Sequence, residues 1–130
     1  RGAVNKNGAC IPNYHYEDLL RINKLYGKKD LKNPAVIVDC NHSNSNKQFK
    51  KQVDVSKDVV NQIANGDNRI FGLMLESNLV EGRQDLPKDL RNLVYGQSIT
   101  DACINIDDTE EICEILNQAV LERRKKNQAK

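Results

Sequence analysis

The chain has no tryptophan, two phenylalanines and four tyrosines in 130 residues, so it offers little of the aromatic surface on which nucleic-acid bases stack. Its formal net charge is only +2, from 20 Lys and Arg against 18 Asp and Glu, a balance that gives no field for steering a polyanion. No nucleic-acid partner is expected. No apolar run approaches the roughly 20 residues that span a bilayer, and no secretory leader is visible, so no membrane role is expected either. The four cysteines (Cys10, Cys40, Cys103 and Cys113) form no Cys-x-x-Cys pair, which argues against a zinc knuckle or a dithiol redox centre. Reduced thiols in a cytoplasmic protein are the simpler expectation, and the sequon Asn41-His42-Ser43 is then a coincidence. A hydrophobic content of 38% with 29% charge excludes a disordered chain. The first residue is Arg1 rather than Met, which predicts a processed or truncated product.

What is present is an alternation of strand and helix patterns. Residues 1–13, with two Gly, a Pro and three Asn, read as a loop, Arg1-Gly2 being the tail of a strand. Tyr14 to Tyr26 reads as a helix with Tyr16, Leu19, Leu20 and Ile22 to Tyr26 on its apolar stripe, stopped by a left-handed Gly27. Ala35 to Val38 is a short apolar run after Pro34, a buried strand. Val55, Val59 and Ile63 recur at four-residue steps beside Val60 and Ala64, one face of a helix that starts as early as Lys47 and ends at Gly66. Ile70 to Leu75 is a second strand. Ser77 to Ile106 shows no periodicity and reads as a long functional loop. The last helix has Asp108 and Glu111 at capping-box spacing, Ile112, Ile115, Leu116, Ala119 and Val120 on one face, and a solvated basic end at Arg123 to Lys126. This order predicts an α/β fold with a parallel sheet. Two strands are too few to cover their own faces and edges, and an eightfold β/α barrel takes roughly 250 residues, so residues 1–130 read as one segment of something larger.

Chemistry gathers where the strands end. After Val38 come Asp39, Cys40, Asn41, His42, Ser43, Asn44, Ser45, Asn46 and Lys47, and after Leu75 comes Glu76. Adjacent parallel strands lie about 4.8 Å apart, so His42 and Glu76 can converge at the carboxyl ends, where α/β proteins bind ligands. Asp101, in the long loop, is a third candidate. One imidazole and two carboxylates suit Mn, Fe, Co or Zn. The same residues also fit ordinary loop roles, and Cys40 and Cys103 read as small buried fillers. Lys47 and Arg83 suit phosphate or carboxylate groups as well as plain surface.

Several strings are distinctive beyond their spacing: Arg1-Gly2; Asp39-x-x-His42-x-Asn44-Ser45-x-Lys47-Gln48-Phe49; Gly72-x-Met74-x-Glu76-Ser77-x-Leu79-x-Glu81-Gly82; and Tyr95-Gly96-x-Ser98-Ile99-Thr100-Asp101-Ala102-Cys103-Ile104. In this order they resemble the class I 3-deoxy-7-phosphoheptulonate (DAHP) synthases, which open the shikimate pathway to aromatic amino acids. The resemblance implies the carboxyl-terminal part of a (β/α)8 TIM barrel, about its last two strands and three helices. It places His42, Glu76 and Asp101 on three of four divalent-metal ligands and Arg1 on the arginine of the family's Leu-Arg-Gly-Gly motif, which binds phosphoenolpyruvate; Lys47, suited to anions by its residue type, is the second substrate-binding candidate. The fourth ligand, a cysteine from an earlier loop, has no counterpart among the four cysteines here. Departures are Ala3 for the second glycine of the motif around Arg1, Asn41 for a serine, and a longer loop over residues 5–10.

The implied reaction is metal-dependent condensation of phosphoenolpyruvate with erythrose 4-phosphate, His42, Glu76 and Asp101 being both metal ligands and the catalytic set. Another metal-dependent barrel aldolase or hydrolase would use the same constellation. A non-catalytic piece is the rival outside enzymes, and either a homo-oligomer or association with the rest of the barrel would cover the exposed strands.

Overall fold

A computed structural model describes residues 1–129. In chain order its elements are β1 (Ala3–Val4), β2 (Cys10–Ile11), α1 (Tyr16–Tyr26), β3 (Val36–Asp39), α2 (Gln52–Ala64), β4 (Ile70–Met74), β5 (Val80–Arg83), β6 (Gln97–Ser98) and α3 (Ile106–Gln128), with short 3-10 turns at Phe49–Lys51 and Leu90–Asn92. The two apolar runs, β3 and β4, pair in parallel with Asp39 opposite Met74, and Cys40 N–H donates to the Met74 carbonyl at 2.9 Å as the last rung. The chain is an α/β structure organised on parallel strand pairs. Among the described residues three α-helices are present as expected, and the strands number six rather than two, because β1 and β2 form an antiparallel hairpin and β5 and β6 a second parallel pair.

The core lies on one face of β3 and β4. Val38 and Ile70 pack there with Leu19 of α1, Val55, Val59, Val60 and Ile63 of α2, and Ala119 of α3. The four-residue recurrence in α2 is thus a buried stripe, each side chain contributing about 1.5–3 kcal/mol by leaving water. On α3, Ile112 and Ala119 are buried, and Ile115, Leu116 and Val120 pack against the core from its margin. The opposite face of the strand pair is open: Ile37 is 61% and Phe71 76% exposed.

Several local expectations are corrected. Residues 77–106 are not structureless: they hold β5, β6 and a 3-10 turn, with Cys103 and Gly82 exchanging both backbone hydrogen bonds. α3 begins at Ile106, and its cap is Asn105, whose side-chain oxygen accepts from Asp108 N–H at 2.7 Å, so Asp108 lies inside the helix and forms no box with Glu111. Gly27 ends α1 in a right-handed conformation, whereas Gly66 adopts the left-handed one (φ +99°) expected after α2. The basic end of α3 is not merely solvated. Arg123 donates to the carbonyls of Asp67 and Ile70 at 3.0 and 2.8 Å, and Lys126 to that of Ala64 at 2.8 Å, satisfying acceptors at the end of α2 and the start of β4. Among the described residues no helix is long and apolar enough to cross a membrane.

Candidate metal centre

The loop after β3 is a buried polar turn held by its own side chains. Asn41, Ser43, Asn44 and Ser45 are all buried, which is affordable only because they are bonded. Ser45 Oγ donates to Asn41 Oδ1 at 2.8 Å, and Asn44 Nδ2 donates to the Asp39 carbonyl at 2.8 Å and to Asn13 Oδ1 at 3.0 Å. Asn13 returns its backbone N–H to Asn44 Oδ1 at 2.8 Å, so the amino-terminal hairpin is tied to the loop. Gly2 (φ +71°) completes the tie: a Cβ there would stand 2.6 Å from the Ile11 carbonyl oxygen and 2.8 Å from Ser43 Cβ. With this scaffold in place, three non-glycine residues hold left-handed backbone, His42 (φ 49°), Asn46 (φ 54°) and Lys47 (φ 59°). Strain of that kind persists where surrounding bonds over-determine it, and it concentrates at functional sites.

The turn delivers His42 to the carboxyl end of the strand pair. Its Nδ1 lies 2.8 Å from Asp39 Oδ2, while Asp39 Oδ1 accepts the Asn41 N–H at 2.9 Å. With Nδ1 bound to a carboxylate, Nε2 is the nitrogen presented outward. It faces Glu76 Oε1 at 3.3 Å and Asp101 Oδ2 at 3.9 Å, and the three ligand atoms lie within 4.8 Å of one another. The side chains of His42 and Glu76 are 23% and 20% exposed, that of Asp101 71%. The donor chemistry suits a divalent ion, since one imidazole with two carboxylates is a borderline-hard set; ligands with bonds of roughly 2.1 Å to one ion stand about 3–4 Å apart, the spacing of His42 Nε2 from Glu76 and Asp101.

The candidate residues do not all meet. His42, Glu76 and Asp101 converge, and Lys47 lines a cleft of about 250 Å³ with Asn41, His42, Phe49, Asp101 and Ala102. Arg1 is exposed and borders a different hollow, with Leu19, Tyr26 and Val36 to Val38, although its carbonyl accepts the Ser43 N–H at 3.1 Å on the turn that carries His42. Arg83 is spent on the Thr100 carbonyl, at 3.0 Å, and on Asp85, at 2.7 Å. Burial pushes the Cys40 thiol up to about 11, partly offset by a hydrogen bond with Ser56, and burial raises Cys103 too, so neither offers a thiolate. Both are the fillers they read as. Two residues in the frame were missed from sequence, Asn13 and Gln52. Asp39 carried a signal, a carboxylate three residues before the histidine in a strand-end turn.

A parallel strand pair backed by helices, with imidazole and carboxylates gathered at its carboxyl ends, defines an α/β protein with a candidate divalent-metal centre. Comparison with known proteins gives the family. The profile of the DAHP synthetase I family matches residues 5–114, and the chain belongs to that family. It is 53% identical over 122 residues to a phospho-2-dehydro-3-deoxyheptonate aldolase of Haemophilus influenzae, covering 94% of this chain and 33% of that protein. With the Phe-sensitive aldolase of Escherichia coli K12 it shares 47% over 118 residues, covering 90% of this chain and 33% of the relative. The solved structure of the Francisella tularensis aldolase superposes with a TM-score of 0.79 at 41% identity, over 86% of this chain and 32% of that one. The chain spans about a third of the length of the relatives it matches.

Proposed function

We propose that this chain carries the metal centre of a DAHP synthase and forms the carboxyl-terminal portion of its (β/α)8 barrel, acting in the cytoplasm. The observation that carries the reading is the convergence of His42, Glu76 and Asp101 within 4.8 Å at the carboxyl end of β3 and β4, in a chain of this family. The open face at Ile37 and Phe71 supports the barrel, whose other strands and interior would cover it. The substrates are phosphoenolpyruvate and erythrose 4-phosphate.

The chain's own groups divide the work. His42, Glu76 and Asp101 would hold a divalent ion (Mn, Fe, Co or Zn), which when bound supplies Lewis-acid polarisation of the aldehyde oxygen. Asp39 fixes the His42 ring so that Nε2 is the free nitrogen. Lys47, bordering the cleft with a compact ammonium, attracts the phosphate or carboxylate of an incoming substrate. Arg1 suits the same anions bidentately, and its substrate role requires its guanidinium to swing from the hollow it borders toward the turn that its backbone already contacts.

Titration of this chain with Mn²⁺ or Co²⁺, followed by calorimetry and by visible absorption of Co²⁺, tests the centre. Binding of one ion, lost on His42→Ala, is expected. Failure of the unmodified chain to bind either ion at millimolar concentration overturns the reading.

A further inference from the structure

Resting on the metal-centre reading, we infer that Gln52 is a positioning residue for Glu76, its buried amide standing in for the stretch of strand that β3 does not provide. The regular ladder between β3 and β4 ends when Cys40 N–H donates to the Met74 carbonyl, because beyond Cys40 the chain turns away toward His42. Glu76, two residues past that rung, then has no β3 partner for its N–H and carbonyl. Gln52 fills the gap. Its Oε1 accepts the Glu76 N–H at 2.9 Å, and its Nε2 donates to the Glu76 carbonyl at 3.1 Å. A primary amide presents one acceptor and a donor side by side, as a peptide group does, so the side chain extends the ladder by one residue.

Burial holds Gln52 in place, and a further backbone bond holds Glu76. Gln52 is fully buried, at 0% exposure, at the first turn of α2. Ser56 Oγ donates to its backbone carbonyl at 2.6 Å. Ile104 N–H donates to the same Glu76 carbonyl oxygen at 3.0 Å, and the Ile104 carbonyl accepts the Asn78 N–H at 3.0 Å. The Glu76 backbone is thus bonded both by a side chain of α2 and by the segment that carries Asp101 three residues upstream. Two of the three candidate ligands are referenced to one frame. A buried amide must have both polar groups bonded for stability alone, so what separates a positioning role from a structural one is the metal affinity of the folded chain.

The test is Gln52→Met, of similar volume and without either hydrogen-bonding group, in the full 130-residue chain. Co²⁺ affinity is measured well below the unfolding midpoint, beside Val59→Ala, a core change on the same helix. Gln52→Met is expected to weaken Co²⁺ binding by about 10- to 100-fold, the range for losing a group that orients a ligand, and to alter the Co²⁺ absorption bands. Val59→Ala is expected to destabilise the fold and leave the affinity of the folded chain within twofold of the original. If Gln52→Met does not fold, Gln52→Asn, which keeps the amide but falls one carbon short, carries the same expectation, and amide exchange at Glu76 should quicken in either variant. Affinity within twofold of the original in the variants that fold, or an equal loss in Val59→Ala, overturns the inference. Absence of Co²⁺ binding by the unmodified chain removes the metal centre itself, and the inference falls with it.

Discussion

At the scale of single residues, the candidate ligands are held by groups that touch them. Asp39 is the clearest case: its carboxylate is bonded both to the imidazole of His42 and to the backbone of the turn. Asp39→Asn keeps the shape and removes the charge, so Mn²⁺ affinity should fall by about 10- to 100-fold while the unfolding midpoint moves little. Equal affinity in a calorimetric titration would show that the backbone alone aims the ring. Asp101→Asn should cost affinity at least as much and stability almost nothing, because that side chain is 71% exposed. The thiols give an independent readout. Cys40 is fully buried, and its thiol is pushed up to about 11, whereas Cys113 is exposed and Cys10 half-buried. At pH 8 a thiol reagent should label Cys113 and then Cys10, and reach Cys40 only on unfolding. Rapid labelling of Cys40 in the folded chain would contradict the packing of β3 on α2.

At the scale of elements, legibility followed burial. β3, β4, α2 and α3 were readable because each has an uninterrupted apolar run or a stripe at helical spacing, imposed by one common core. β5 and β6 were not. Their sequences, Val-Glu-Gly-Arg and Gln-Ser, carry no alternation, and their strand character comes from long-range bonds such as Gln84 N–H to the Ser98 carbonyl at 2.7 Å. His42, Glu76 and Asp101 were legible as strand-end and loop residues and through resemblance; Gln52 was invisible because nothing about a glutamine at a helix start announces what its amide will meet. The basic end of α3, exposed from Arg124 to Lys126 as expected, was read only in part for a similar reason, since Arg123 reaches Asp67 and Ile70, more than fifty positions away. Arg123→Met should lower the unfolding free energy by about 2 kcal/mol, given that bonds from a charged donor contribute roughly 1.5–3 kcal/mol. The neighbouring Asp67 predicts an acid limb. Burial raises its carboxyl, but bonds from Arg69, helped by the charge of Arg123, outweigh this and hold it below the usual 3.8. A lowered folded value means stability present above about pH 4 and lost as pH falls through that lowered value. Urea midpoints from pH 6 to 3 should therefore drop less steeply in Asp67→Asn than in the unmodified chain.

At the scale of the whole molecule, one feature of the sheet determines what the chain can do alone. β3 and β4 are covered by helices on one face only, and the other presents Ile37 and Phe71 to water, with a hollow of about 550 Å³ bordered by Pro34, Ala35 and the same two side chains. A two-stranded parallel pair with an open apolar face and unpaired edges is a template for association. The same openness reaches the candidate metal centre. Asp101 is largely exposed, the cleft beside it is lined from a few directions only, and Arg1 stands apart from His42, Glu76 and Lys47. Holding two substrates in reacting geometry can contribute about 7–11 kcal/mol to lowering a barrier, and a cleft open on this scale forgoes most of it. The isolated 130-residue chain should therefore bind a divalent ion without turning over phosphoenolpyruvate and erythrose 4-phosphate, and it should be larger than a monomer by light scattering. Ile37→Lys and Phe71→Lys together, placing two charges on the open face, should shift the chain toward monomer and leave metal affinity in place. Robust metal-dependent phosphate release by a monodisperse monomer would show instead that these two strands and their helices make a complete small enzyme.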